Sequence, residues 1–132
     1  MFKFHKKVEY ALTALKHMRS KPDEDLTTAK EICTEYDIPF DPTSRVLQIM
    51  AQQKILEAVQ GAYGGYRLKG NLSRVTIYDL STMIIGPMAV ADCANEKGSC
   101  NRREKCLLKG AMGKLNSRVL DVFKKVKVSE MV

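Results

Sequence analysis

This sequence has no long apolar run. Nothing in it approaches the roughly 20 consecutive apolar residues that a membrane-spanning helix needs, so no membrane contact is expected. The opening segment, MFKFHKKVEYALTALKHMRS, has no uninterrupted apolar stretch and no small-residue cleavage site, and it reads as a helix instead of a secretory signal. Internal repeats and low-complexity tracts are absent. There are no C-x2–4-C pairs, the spacing typical of structural zinc. The glycine stretch GAYGGY lacks the strand-to-helix context of a dinucleotide loop, so no nucleotide or flavin fingerprint is present.

What remains is an ordinary globular composition. The chain has 132 residues, 45% of them hydrophobic, enough for one domain with a modest core. A cytoplasmic location is expected, where thiols stay reduced. Four cysteines in that setting point to metal or redox chemistry before disulfides. The net charge is +7, from 22 basic and 15 acidic side chains. Residues 1–90 carry 12 and 10 of these and residues 91–132 carry 10 and 5, so the excess sits mainly in the last third. That balance is compatible with a nucleic-acid partner but is a weak signal alone.

Periodicity organises the first part as helices. Val8, Leu12, Leu15 and Met18 give an amphipathic first helix that KPDEDL ends. Thr28 and Glu31 have the spacing of a capping box for a second helix with Ala29, Ile32, Cys33 and Tyr36 on its apolar side. Asp41 suits an N-cap and Pro42 a first helical position for a third helix, with Val46, Leu47 and Met50 facing inward. Two short helices joined tightly resemble a helix-turn-helix. ILEAVQ, GAYGG and YRLKG then read as a β-hairpin, the order of a winged helix, with Gly61, Gly64 and Gly65 permitting a loop that approaches a phosphate backbone. A further helix runs from Thr76 to Ile85 and stops at Gly86 and Pro87.

Beyond residue 106, Leu108, Met112, Leu115, Val119, Val122 and Val126 form a heptad-like stripe on one long helix. Such a stripe packs either on its own domain or on a symmetry mate. A homodimer matches DNA reading, because dimeric helix-turn-helix proteins bind two half-sites. The expected fold is mainly α with a small β-hairpin wing. Residues 1–86 form a winged helix-turn-helix, 87–106 a cysteine loop, and 107–132 a dimerisation helix with a closing segment.

That loop, CANEKGSCNRREKC, holds Cys93, Cys100 and Cys106 at C-x6-C-x5-C spacing. Longer spacings suit a loop that wraps an iron–sulfur cluster. Lys97, Arg102, Arg103 and Lys105 favour thiolate and would offset the charge of a ligated cluster. The competing readings are a solvated loop with incidental cysteines and a metal-free disulfide switch.

Taken together, these segments resemble the Rrf-two-type winged-helix transcription regulators, the IscR- and NsrR-like proteins. VEYALTAL is similar to the first helix of that family, IPFDPTSRVLQIM to its recognition helix, GAYGGYRL to its wing and VKVSEMV to its closing segment. The resemblance covers nearly the whole chain. It implies no enzyme but a homodimeric, DNA-binding regulator, repressor or activator, whose 2Fe–2S or 4Fe–4S cluster controls affinity for a double-stranded operator. Two departures stand out. Lys109 takes the place of a histidine three residues after the last cysteine, and Gln60 that of a basic wing residue. By the same resemblance Glu9 falls where some members place an acidic cluster ligand supplied by the other subunit; the competing reading of it is a solvated helix-face charge.

Ser44, Arg45 and Gln48 are expected to reach base edges, with Thr43 on phosphate. Gln60, Gly64 and Arg67 are expected to bind DNA from the wing, with Arg67 on phosphate. His5 reads as touching DNA or solvent, His17 as a surface residue and Cys33 as a small buried hydrophobe. The alternatives to a cluster-sensing regulator are a cluster-free winged-helix repressor with a thiol redox switch and, in a different class, a small iron–sulfur electron carrier.

Overall fold

The computed structural model describes residues 3–90 and 104–132. Three helices form the framework: α1 (Lys6–Arg19), α2 (Ala29–Tyr36) and α3 (Phe40–Gln52). The hairpin β1 (Leu56–Val59) and β2 (Gly65–Leu68) follows, then α4 (Ile77–Ile85), α5 (Lys109–Lys125) and α6 (Val128–Met131).

The core is built from one stripe of each framework helix. In α1 it comprises Val8, Ala11, Ala14, Leu15 and Met18, all buried. The two alanines let α3 and α4 approach, and Leu12, expected in this stripe, is half-buried beside it. From α2 comes Ile32 and from α3 Val46, Leu47 and Met50, and α4 adds Ile77, Leu80 and Ile84 to them.

Local signals fix the helix ends. Thr76 and Asp79 form a full capping box at α4, and Gly86 ends that helix at φ +83, a left-handed angle that favours glycine. At α2 only half of the box forms. The Glu31 amide donates to Thr28 Oγ1 at 3.1 Å, but the Glu31 carboxylate is taken by Lys21 Nζ at 3.0 Å. Asp37, at φ 51, ends α2 and turns the chain into α3. The start of α3 differs from expectation. The helix begins at Phe40 after Pro39, and no side chain caps it. Asp41 and Pro42 therefore lie in its first turn, where a missing N–H costs nothing because that donor has no intrahelical partner.

The hairpin pairs Leu56 with Leu68, Glu57 with Arg67, Ala58 with Tyr66 and Val59 with Gly65. Thr27, just before α2, adds an isolated bridge on the other side of β2. The Thr27 N–H donates to the Tyr66 carbonyl and the Thr27 carbonyl accepts from the Tyr66 N–H, both at 2.8 Å. A Cβ at Gly65 would meet the Thr27 carbonyl oxygen at 2.9 Å, so this close approach needs glycine. The wing is thereby tied to the framework by backbone.

Two expectations about single residues are corrected. His17 is not a surface residue. It lies between α1 and α2, its Nδ1 2.7 Å from the Tyr36 hydroxyl and its ring edge-on to the tyrosine. Cys33 is half-buried, not buried, with its Sγ 3.7 Å from the Pro39 carbonyl oxygen.

The closing segment returns to the first unit. Ile77 N–H donates to the Val126 carbonyl at 2.9 Å, and Val128 N–H donates to the Val75 carbonyl at 2.8 Å. Val128 is fully buried among the framework residues. Arg19 donates to the Ser129 and Val132 carbonyls at 3.2 and 3.0 Å. Val128→Ala removes buried methyl groups and leaves a cavity. It should cost about 2 kcal/mol, read as a lower urea midpoint with an unchanged slope. A loss under about 0.5 kcal/mol would show that the closing segment frays without consequence.

Candidate nucleic-acid interface and cysteine loop

The outer face of α3 is polar. Arg45 and Gln48 are exposed and Ser44 is half-buried, so all three reach the surface where expected. Asp41 is exposed one turn before Arg45, so the face carries both signs of charge. Thr43 is a correction. It is 0% exposed, on the inward face with Val46, Leu47 and Met50, and its hydroxyl has no partner among the described residues. A residue three before Val46 and four before Leu47 shares their face of the helix, so Thr43 cannot contact phosphate in this conformation.

The wing adds a second surface. Gln60 is exposed where β1 ends. Gly64 donates to the Gly61 carbonyl at 3.0 Å, and a Cβ on it would lie 2.1 Å from the Val59 carbonyl oxygen. Its role is to close the turn. Arg67 is committed within the wing, its Nε donating to Glu57 Oε2 at 2.7 Å across the strands. That hydrogen bond, and then the guanidinium charge, holds the Glu57 carboxyl below its usual range. Arg67 thus offers DNA less net positive charge than its residue type suggests. The turn exposes a residue that the sequence reading missed. Tyr63 at the tip is 96% exposed. The signal was an aromatic residue between glycines in a turn, where no core can receive it.

Of the cysteine loop, Cys106 lies within the described residues, and Cys93 and Cys100 lie outside them, as do Lys97, Arg102 and Arg103. Cys106 is half-buried, is in no disulfide, and stands three residues before α5. Glu9 sits in the first turn of α1, its carboxylate 3.0 Å from Lys6 Nζ. His5 caps α1, its Nδ1 accepting from the Lys7 amide at 3.2 Å. Among the described residues no group of three His, Cys, Asp or Glu side chains gathers. The soft, thiol-based donor set nonetheless fits an iron–sulfur cluster, and the described cysteine of that set carries an uncommitted sulfur.

No residue of α5 is fully buried. Leu115 and Val122 are 50% and 58% exposed, Leu108 is exposed, and Met112 and Val119 are half-buried. The helix spans only Lys109–Lys125, so Leu108 and Val126 are its caps. Val126 packs on the framework and its carbonyl pairs with Ile77, which removes it from the exposed stripe. Phe123 docks α5 instead, its ring centroid 6.2 Å from that of Phe4. The segment entering the loop is tied to the helix where the Val90 amide donates to Asn116 Oδ1 at 3.0 Å. No described helix is long and apolar enough to cross a membrane.

The family model described as Rrf2, iron-dependent transcriptional regulator, matches residues 4–132. The HTH-type transcriptional regulator BadM of Rhodopseudomonas palustris is 35% identical over 69 residues, 52% of this chain and 44% of that protein. The HTH-type transcriptional regulator NsrR of Shouchella clausii is 22% identical over 125 residues, 94% of this chain and 84% of that one. Among solved structures, CymR, the global cysteine regulator of B. subtilis, superposes with a TM-score of 0.69 at 19% identity, covering 99% of this chain and 96% of that one. IscR of T. potens gives 0.70 at 15% identity, covering 98% and 85%. The winged-helix fold is therefore shared. Matched along almost its full length, this chain belongs to the Rrf2 family, whose members are transcriptional regulators and not enzymes.

Proposed function

We propose that this regulator binds its operator as a homodimer and that an iron–sulfur cluster, 2Fe–2S or 4Fe–4S, held in the 93–106 loop sets its DNA affinity. The observation that supports this reading best is the placement of Cys106, half-buried and unpaired where the loop runs into the exposed stripe of α5. Cys93, Cys100 and Cys106 hold the cluster as thiolates, with Glu9 of the partner subunit, or a small exogenous ligand, as a weaker fourth donor. Carboxylate is harder than thiolate and leaves such a site more readily. When bound, the cluster supplies a redox- and nitric-oxide-sensitive group. Arg45, Gln48 and Ser44 read base edges, and Gln60 and the Gly64 turn bring the wing to the backbone. Leu108, Leu115 and Val122, with Met112 and Val119, bury their apolar surface against the partner helix.

A second reading keeps the fold and the DNA but replaces the cluster by a thiol redox switch. Lys109 favours it, since α5 begins with a residue that ligates iron poorly where a histidine would serve. Anaerobic purification separates the two by visible absorbance and iron content.

Three outcomes are expected. Arg45→Ala should weaken specific operator binding by about 1–3 kcal/mol while non-specific binding changes little; fluorescence anisotropy with operator and scrambled duplexes measures this, and equal losses on both would make Arg45 a phosphate contact. Leu115→Asp should convert the dimer to monomer in sedimentation and lower operator affinity with it, because a charge buried in an apolar seam is strongly destabilising; a monomeric wild type at micromolar concentration would refute the seam. Cys→Ala at 93, 100 or 106 should abolish the visible chromophore and change operator affinity, whereas Cys33→Ala should do neither. Iron-free protein with an unchanged response in all three variants would leave a plain winged-helix regulator.

A further inference from the structure

A cleft of about 460 Å³ opens between the start of α1, the end of α4, the segment that leads toward the cysteine loop and α5. Its walls are apolar, formed by Phe4, Val8, Ile85, Met88 and Phe123. Its rim carries Lys3 and Lys6, with His5 between them in sequence. Ser81 also lines it. That side chain is 1% exposed, and its hydroxyl has no hydrogen-bond partner among the described residues. A buried hydroxyl left unpaired is costly, and in a cleft it marks a place where a ligand atom or a water completes the bonding. The volume lies within the range of about 300–1,000 Å³ common for small-molecule sites.

We infer that this cleft binds a small organic carboxylate with an apolar body and is an effector site of the regulator. The charge pattern selects the ligand class. Apolar walls accept the hydrocarbon part, while two lysines and the positive end of the α1 dipole favour an anionic head at the mouth. Lys6 is paired with Glu9, but this pair is exposed and weak, so a bound carboxylate exchanges for Glu9 at little cost. The walls come from both the DNA-binding framework and α5, so an occupant that prefers one arrangement of the two shifts operator affinity. The effector role rests on the DNA-binding reading; the binding site does not.

The test is a titration of the full chain without DNA, read by the methyl NMR signal of Met88. The probes are 4-phenylbutyrate, its neutral counterpart 4-phenylbutanol, and acetate. Phenylbutyrate should shift Met88 saturably, the alcohol about tenfold more weakly, and acetate not at all. Lys3→Gln with Lys6→Gln should reduce phenylbutyrate to the level of the alcohol. Ser81→Leu fills the floor and should abolish both. Ala89→Phe, outside every helix, fills the same cleft should the Ser81 variant not fold. Unmoved Met88, or equal affinity for anion and alcohol, overturns the inference. So does a cleft-filling variant that dissociates the dimer in sedimentation, because the cleft then receives a second copy of the chain. Arg45→Ala should keep ligand binding while losing specific DNA binding, so failure of the operator reading and failure of the cleft are distinguishable.

Discussion

The backbone pairing of residues 75–77 with residues 126–128 decides where the rest of the molecule can sit. Its hydrogen bonds, Ile77 to Val126 and Val128 to Val75, are neutral and worth about 1 kcal/mol each. Their firmness comes from what they hold in place. Val128 fills the framework core, Phe123 lies against Phe4, and Arg19 fastens the last carbonyls. The end of α5 is therefore an integral part of the DNA-binding unit, although the chain reaches it only after the cysteine loop.

At its other end α5 is held differently. Among the described residues the Val90–Asn116 hydrogen bond, a neutral tie, meets the middle of the helix, and before its start Leu107 and Leu108 are exposed. A helix of 17 residues is a rod of roughly 25 Å. On the proposed reading, a change beside Cys106 at its start would redirect its exposed stripe. On the proposed reading that stripe is the contact with the second subunit, so the angle between two recognition helices follows from the geometry of the loop. The cleft under Phe123 lies at the same joint.

The helices and the hairpin were legible because their signals are local. Capping residues, the period of buried positions in α1 and α3, and glycines around a turn are all visible within a few residues. The placement of Thr43 was legible too, since it stands in register with Val46, Leu47 and Met50, but its polarity outweighed its position. What could not be read depends on pairing at a distance. His17 meets Tyr36 only once α2 has docked on α1. The tie of Arg67 to Glu57 needs a register that the length of the Gln60–Gly64 turn sets. Val128 needs Val75, and nothing in the pattern VKVSEMV announces which strand-like segment it will join. The candidate site divides along the same line. Its outward residues on α3 follow from periodicity, whereas the surroundings of Cys106 and Glu9 depend on tertiary and quaternary contacts.

Charge explains why such a reading head would need a second copy. Residues 1–90 hold 12 basic and 10 acidic side chains, and two of the carboxylates lie on the candidate interface, Asp41 on α3 and Glu57 against Arg67. Non-specific affinity for DNA comes almost wholly from neutralised phosphates, so on the proposed reading this unit alone would hold duplex weakly. Selection must then rest on a few polar contacts from α3 and on the wing turn, each worth only about 1–3 kcal/mol. On the proposed reading two units joined by α5 would add those contacts, provided the joint presents both at the half-site spacing. On the proposed reading, a device that alters the joint does not need to touch the reading residues to change operator affinity; Cys106 stands just before α5, and the cleft beneath Phe123 has no candidate reading residue of α3 among those lining it.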